Sequence, residues 1–331
     1  MKIIGKIYQK LYTYYKQSVV CEQFPMLTKL SRNEWQRMGA IGFVYTLHHI
    51  TKKNPNGIPT NEDLKVSSGF LEDIIIKYKR QRFVFVSLDQ LSEIINSDTM
   101  PEYPFIAITI DDGYLDNYTQ ALPVFERQQV PFTIFVATDF IDKKAILWWD
   151  ILEQLVLNND SVKMGKDEYP CNTFQEKWDT FRILREKILH IDQTRLEEGL
   201  KEAFAHYDID WYEPVQRQTM SWEQINEISR HPLCTIGGHT ASHLALNKLS
   251  DQEFLQEVAS GVAKLQSATG KPIQHFAYPY GSPNEIGERE YKLISEFNFK
   301  TVFTAYGGCI TESNMHQITH LPRVYLHERQ L

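Results

Sequence analysis

Apolar runs with the two-residue period of strands alternate, along most of this chain, with apolar positions spaced as on a helix. Short runs rich in β-branched and aromatic residues predict strands at Ile41–Leu47, Phe83–Val86, Phe105–Ile110, Phe132–Val136, Leu233–Ile236, His275–Tyr278, Thr301–Thr304 and Arg323–Leu326. Helical spacing predicts helices at Phe70–Arg80, Asp116–Gln129 and Trp222–Ser229. The longest predicted helix begins at Ser250, where Glu253 completes a capping box, and runs to about Ser267; Gly270, Lys271 and Pro272 stop it. Strands alternating with helices predict a parallel sheet or an α/β barrel.

The rhythm breaks between about residues 144 and 218. Charged, helix-prone stretches at Thr173–His190 and Asp192–Tyr207, with Trp148, Trp149, Trp178 and Trp211, predict a helical insertion or lid between two strands. Lys52–Pro59 is rich in turn formers and predicts a flexible loop. Residues 1–35 form a separate basic segment ahead of the domain at 36–331. Lys2, Lys6, Lys10 and Lys16 stand among residues 1–20 with no acid, and Ile4, Ile7, Leu11 and Tyr15 recur at helical spacing. Such a helix either packs on the domain, which is the simpler expectation, or rests on an anionic membrane surface. It has no apolar core or small-residue cleavage site, so no signal peptide is expected. No apolar run reaches the roughly 18 residues of a membrane-spanning helix.

Composition narrows the class. Of 331 residues, 23% are charged and 42% hydrophobic, which is an ordinary soluble composition with enough apolar residues for a sizeable core. The net charge of −7 and the lack of a long basic block argue against a nucleic-acid partner. Cys21, Cys171, Cys234 and Cys309 lie far apart without a CxxC pair, so reduced thiols in a cytoplasmic protein are expected.

Three segments carry candidate chemistry, each at the C-terminal end of a predicted strand. Thr109-Ile110-Asp111-Asp112-Gly113-Tyr114 closes the run FIAITI. On its own it reads as a solvated turn, because adjacent buried carboxylates repel and lose hydration. With a metal, one carboxylate can ligate while the other serves as a base. Gly237-Gly238-His239-Thr240-Ala241-Ser242-His243 follows the run LCTI. Two histidines four apart fall on one side of a helical turn and can reach one cation. With one Asp they would offer two nitrogens and one oxygen, a set that suits Zn2+ and accepts Fe, Co or Mn. Phe276-Ala277-Tyr278-Pro279-Tyr280-Gly281 follows a third strand as a tight turn. Strand C-termini are where α/β barrels build active sites.

The ordered set TIDDGY, GGHTASH and FAYPYG resembles the NodB-type polysaccharide deacetylase family, carbohydrate esterase family 4. The resemblance runs from about Phe43 to Leu326, with the insertion outside it. The early TLHHI resembles the family's early strand ending in a His, and the closing LPRV resembles the ending seen in the branch related to biofilm-polysaccharide deacetylases. It implies a distorted (β/α)7-type barrel that uses one divalent metal, zinc above all, to remove acetyl groups, usually N-acetyl, from sugars. By that resemblance Asp111 matches the general base. Asp112, His239 and His243 match the metal ligands. Tyr280, between Pro279 and Gly281, matches the residue whose backbone N–H holds the oxyanion, and Thr240 matches a hydroxyl residue that steadies the histidine loop.

Two positions depart from the family pattern. Ala277 and Tyr278 stand where many members carry an Arg that pairs with the base, and Arg323 is the candidate replacement. The usual late Leu-x-His is not cleanly present, so His48 and His327 are both candidates for the acid. The expected substrate is an acetylated sugar or glycan precursor, lipid-linked or nucleotide-linked, in the cytoplasm or at the inner face of the membrane. A catalytically silent carbohydrate-binding protein, an O-acetyl esterase and a non-sugar amidase are the alternatives.

Overall fold

A computed structural model describes residues 39–328, so the expectations for residues 1–35 lie outside it. The described strands are β1 (Ala40–Leu47), β2 (His49–Ile50), β3 (Lys65–Val66), β4 (Val84–Phe85), β5 (Phe105–Asp112), β6 (Phe132–Val136), β7 (Ser161–Met164), β8 (Asp167–Pro170), β9 (Cys234–Gly238), β10 (His275–Ala277), β11 (Thr301–Gly307), β12 (Ile310–Thr311) and β13 (Leu321–Tyr325). Seven parallel strands close on themselves in the order β1-β5-β6-β9-β10-β11-β13, the last pairing back onto β1. This is the distorted (β/α)7 barrel, and its distortion has visible sources. β10 meets β9 only at Phe276 and Gly238, and the β11–β13 ladder slips between Phe303 and Gly307. β4 adds a parallel strand outside β5, and β12 an antiparallel one on β1.

Strand parity sorts the side chains. On β5, Ile106, Ile108 and Ile110 join the outer core beneath the helices, with Tyr45, Ile134 and Phe276. Phe105 and Ala107 instead pack with Val44, Phe135, Ala277, Phe303 and Leu321 in a second cluster inside the barrel. Gly42 makes room for the Phe105 ring, since a Cβ there would lie 2.5 Å from it. The same parity carries Thr109 and Asp111 on β5, and Arg323 on β13, into the barrel mouth.

Helices at Ser68–Arg80, Trp222–Ser229 and Asp251–Thr269 stand where the sequence predicts them at Phe70–Arg80, Trp222–Ser229 and from Ser250 to about Ser267. The last has its capping box, Ser250 accepting from the Glu253 N–H, and ends on left-handed Gly270. The single helix expected at Asp116–Gln129 is instead a π-helical turn, Asn117–Ala121, followed by α-helix Leu122–Gln128. Pro123 has no N–H for the carbonyl four residues earlier, so a regular α-helix cannot run through this point.

The insertion between β6 and β9 carries helices Trp148–Asn158, Phe174–Leu189, Leu196–Ala203 and Glu213–Gln218. It is not wholly helical, because β7 and β8 form an antiparallel hairpin turning at left-handed Gly165. A four-residue strand with one buried residue, Val162, leaves too short an alternation to read among charged neighbours. The insertion has its own core around Trp148, Leu152, Phe181, Leu184, Leu200 and Trp211, and Ile58 joins it from the loop after β2. Among the described residues no helix is long and apolar enough to cross a membrane. Cys171, Cys234 and Cys309 are free thiols.

Candidate active site

Three strand-end residues converge on one point. Asp112 ends β5, and His239 and His243 follow β9. One donor atom from each lies within 4.8 Å of the others, and all three residues are buried. Asp112 Oδ1 stands 3.4 Å from His239 Nε2 and 3.3 Å from His243 Nε2, yet it has no hydrogen-bond partner. His239 Nδ1 donates to the Ala277 carbonyl at 2.7 Å, which leaves a bare lone pair on Nε2 facing Asp112. Burial pushes His243 down to about 4 against the pull of the Asp112 charge, so its imidazole is neutral near pH 7. Buried acceptors turned on one another are unfavourable unless a cation lies between them. Tetrahedral donors about 2.0–2.1 Å from an ion stand roughly 3.3–3.4 Å apart, which matches the separations here. The donor set fits a divalent cation.

The histidines do not reach this point as one helical turn. Residues 239–243 are irregular, with left-handed Thr240 (φ 65°) and His243 (φ 56°). Asp112 (φ 77°) and Tyr280 (φ 58°) share that conformation, which is costly for residues with a Cβ and tends to collect at functional sites. The loop is held from three sides. Thr240 Oγ1 accepts from the His243 N–H at 3.1 Å. Glu257 accepts from the Ser242 N–H at 2.9 Å, and Asp139 accepts from Ser242 Oγ at 2.7 Å. Gly261 of helix Asp251–Thr269 lies so close that a Cβ there would meet the Thr240 carbonyl oxygen at 2.5 Å.

Asp111 lies beside the triad on a different partner. Arg323 Nη1 donates to Oδ1 and Nη2 to Oδ2, both at 2.7 Å, and Thr46 Oγ1 donates to Oδ2 at 3.3 Å. Arg323 is only 1% exposed. It also donates to the Thr304 carbonyl at 2.7 Å and to Thr109 Oγ1 at 3.0 Å, and lies 5.6 Å from the Phe135 ring centroid. Burial pushes the Asp111 carboxyl up, but the charge and hydrogen bonds of Arg323, together with the fields of His239 and His48, outweigh it and hold the group below its ordinary value.

The remaining predicted residues divide. His48, at the end of β1, stacks on Tyr325 at 5.8 Å, and its buried Nδ1 has no partner. Burial pushes it below its ordinary value, while Asp112 and Asp111 pull it up and Arg323 pushes it down. Those interactions put His48 at the same mouth. His327 Nδ1 donates to the Asp63 carbonyl at 3.0 Å. The Tyr280 ring stands edge-on to His243 at 4.8 Å. Gly281 is left-handed, and a Cβ on it would meet the Ala305 nitrogen at 2.6 Å, so the turn after Pro279 requires glycine.

Sequence reasoning noted Trp148 and Trp149 without a role. Trp148 Nε1 donates to the Tyr280 hydroxyl and Trp149 Nε1 to the Tyr114 hydroxyl, each at 3.3 Å. The Trp149 ring also packs on His243 at 5.4 Å. The pair ties the insertion to the two motif loops, and two adjacent tryptophans at its start were the only sequence signal. His49 was missed as well; it donates to Asp116 at 2.9 Å and stacks on Tyr114 at 3.7 Å.

The family model described as polysaccharide deacetylase matches residues 99–165 and 194–301, more than half of the chain. The matched spans hold Asp111, Asp112, His239, His243 and Tyr280; His48, Arg323 and His327 lie outside them. Among solved structures, the Streptococcus pyogenes deacetylase PplD in complex with acetate is 15% identical, with 87% of this chain and 92% of that chain covered and a TM-score of 0.57. IcaB from Ammonifex degensii is 20% identical over 87% of this chain and 92% of that one, with a TM-score of 0.55. The BpsB deacetylase domain from Bordetella bronchiseptica is 16% identical over 87% and 96%, with a TM-score of 0.53. These likenesses concern the fold. No curated protein matches the chain.

Proposed function

Because the chain belongs to the polysaccharide deacetylase family, we propose that it is a metal-dependent hydrolase that removes N-acetyl groups from a sugar of a glycan or glycan precursor. The observation that carries this reading is the meeting of Asp112, His239 and His243 at one point beside the Arg323-clamped Asp111. Two nitrogens and one oxygen favour zinc, and Fe, Co or Mn would accept the same donors. Bound there, the cation would supply a water of lowered pKa and polarise the acetyl carbonyl.

The chain's own residues supply the rest. Asp111 takes the proton of the attacking water, and Arg323 keeps that carboxylate ionised and aligned. The Tyr280 backbone N–H donates to the developing oxyanion, a contribution of about 3–4 kcal/mol for one donor at comparable sites. His48 hands a proton to the departing sugar nitrogen. Its unpartnered Nδ1 and its place in the field of both aspartates favour it over His327, whose Nδ1 is committed to Asp63. Residues 1–20, with four Lys and no acid, would bring the barrel to an anionic membrane surface on the cytoplasmic side.

Acetate release from N-acetylated and O-acetylated sugars, with and without chelator, tests the reading. Full activity in chelated protein would sink it, and sugar binding without any release would favour the silent alternative. Asp112→Ala and His239→Ala are expected to lose bound metal, by more than the roughly 10–100-fold that loss of an outer-shell partner costs. Elemental analysis of the purified variants checks this. His48→Ala is expected to slow N-deacetylation by about 10²–10⁴-fold and O-acetyl ester cleavage much less, because an alcohol leaves more readily than an amine. Equal losses on both substrates would remove His48 from the acid role.

A further inference from the structure

Along helix Asp251–Thr269, Glu257, Gly261 and Lys264 follow one another at spacings of four and three residues, which puts them on one face. That face meets the histidine loop. The Glu257 carbonyl accepts from the Ala241 N–H at 3.1 Å, and its carboxylate accepts from the Ser242 N–H at 2.9 Å. Gly261, with no side chain, lets the Thr240 carbonyl close on the helix. Lys264 reaches further, to the turn after β6, where its ammonium donates to Asp139 Oδ1 at 2.5 Å and to Asp142 Oδ2 at 2.8 Å. The other Asp139 oxygen accepts from Ser242 Oγ at 2.7 Å, and the Asp139 N–H donates to the Ala241 carbonyl at 2.8 Å. Asp139 thus stands between a cation on one side and the residue before His243 on the other.

We propose that Lys264 is a positioning residue of the metal centre, an inference that rests on the metal-dependent reading above. Held between Asp139 and Asp142, its ammonium fixes the carboxylate that aims Ser242 and His243, and so sets how tightly the histidine loop holds the cation. His243 is left-handed (φ 56°), a conformation that costs a residue with a Cβ, so neighbours must impose the shape of the loop. Those neighbours are acids. Asp139 and Glu257 both hold Ser242, and Asp142 lies on the far side of the lysine. Carboxylates gathered in this way repel one another unless a cation stands among them. Lys264 is that cation for Asp139 and Asp142, and the exposed Lys144 adds a looser contact to Asp142 at 3.5 Å. Trp222 Nε1 anchors Asp142 independently of the loop by donating to its other oxygen at 2.7 Å. The Lys264 side chain is 37% exposed, so its ion pairs add little to global stability. Their effect falls on where Asp139, and through it Ser242, can settle.

The test is a Co2+ titration of the chelator-stripped full chain, followed by the visible absorption of the bound ion, with denaturant midpoints measured alongside. No turnover is read. Lys264→Met is expected to weaken Co2+ binding about tenfold, the lower end of the roughly 10–100-fold that outer-shell partners of metal ligands contribute. Lys264→Arg should recover most of that loss, because a guanidinium can bridge the same two carboxylates. Ser242→Ala removes the hydroxyl that links Asp139 to the loop. When two residues act through one link their effects do not add, so the double variant should bind no more weakly than the weaker single one. A shifted midpoint with unchanged Co2+ affinity would make Lys264 a structural residue and overturn the proposal. Losses that multiply in the double variant would overturn it too, since Lys264 would then act by a route other than Asp139. If Lys264→Met does not fold, Lys264→Gln, which keeps a donor without the charge, is read in its place. A wild-type chain that takes up no Co2+ overturns the metal centre itself, an outcome distinct from wild type and Lys264→Met binding Co2+ equally well.

Discussion

Replacing Asp111 with Asn is expected to lower acetate release by about 10²–10⁴-fold, the usual contribution of a positioned general base, while bound metal stays at the wild-type level. The two outcomes separate because Asp111 and its neighbour face different partners. Asp112 is the carboxylate whose oxygen stands 3.3–3.4 Å from the two histidine nitrogens. Asp111 is turned into the barrel, where both its oxygens accept from Arg323 at 2.7 Å. Asn keeps the shape and one acceptor oxygen but cannot take a proton from water. It also leaves part of the buried guanidinium unmatched, so some loss of stability should accompany the loss of rate. Steady-state acetate release together with metal content per chain is the measurement. Wild-type turnover in a metal-replete Asp111→Asn protein would remove Asp111 from the mechanism.

Replacing Arg323 with Met is expected to cost about 3–5 kcal/mol of stability, the usual consequence of stranding one member of a buried ion pair. Met is unbranched and similar in length, so packing changes little compared with charge. In the wild type, Arg323 holds the folded Asp111 below the roughly 3.9 of an unfolded chain. A depressed carboxyl contributes stability above about pH 4 and loses it as pH falls through the folded value. Without Arg323, burial prevails and the folded value rises above the unfolded one. The ionised carboxylate then opposes folding near neutral pH and is relieved on protonation. Denaturant unfolding should therefore show the widest gap between wild type and variant near pH 7, closing below about pH 4. A gap independent of pH would trace the loss to packing instead. Arg323→Lys should recover part of the stability, because it restores a charge, but less of the rate, because a point charge cannot grip both oxygens.

Much of this architecture was legible beforehand for local reasons. The run Phe105–Asp112 alternates so that its isoleucines meet the helices and Asp111 enters the barrel, and a period of two survives in a short window. Ser250 and Glu253 announced the start of the longest helix because a capping box is complete within four residues. Elements with weak local marks were misread. The hairpin β7–β8 buries too little to stand out, and Pro123 turned one expected helix into two unlike pieces.

The candidate site divides along the same line. Residue types and their order at strand ends, Asp111-Asp112 and then His239 and His243, were written in the chain, and they were enough to expect a cation. How those side chains meet was not. The spacing of the histidines suggested a helical turn, whereas left-handed Thr240 and His243, gripped by Glu257 and Asp139, do the aiming. The Asp111–Arg323 pair spans 212 residues, and it exists only because β1 bonds to both β5 and β13 and so closes the barrel. Trp148 and Trp149 reach the motif loops only once the insertion has folded over the mouth. Periodicity, caps and turn chemistry act over a few residues and can be read one window at a time. Ion pairing, burial and metal-ligand geometry depend on which distant groups share a low-dielectric volume, and only the closed barrel decides that.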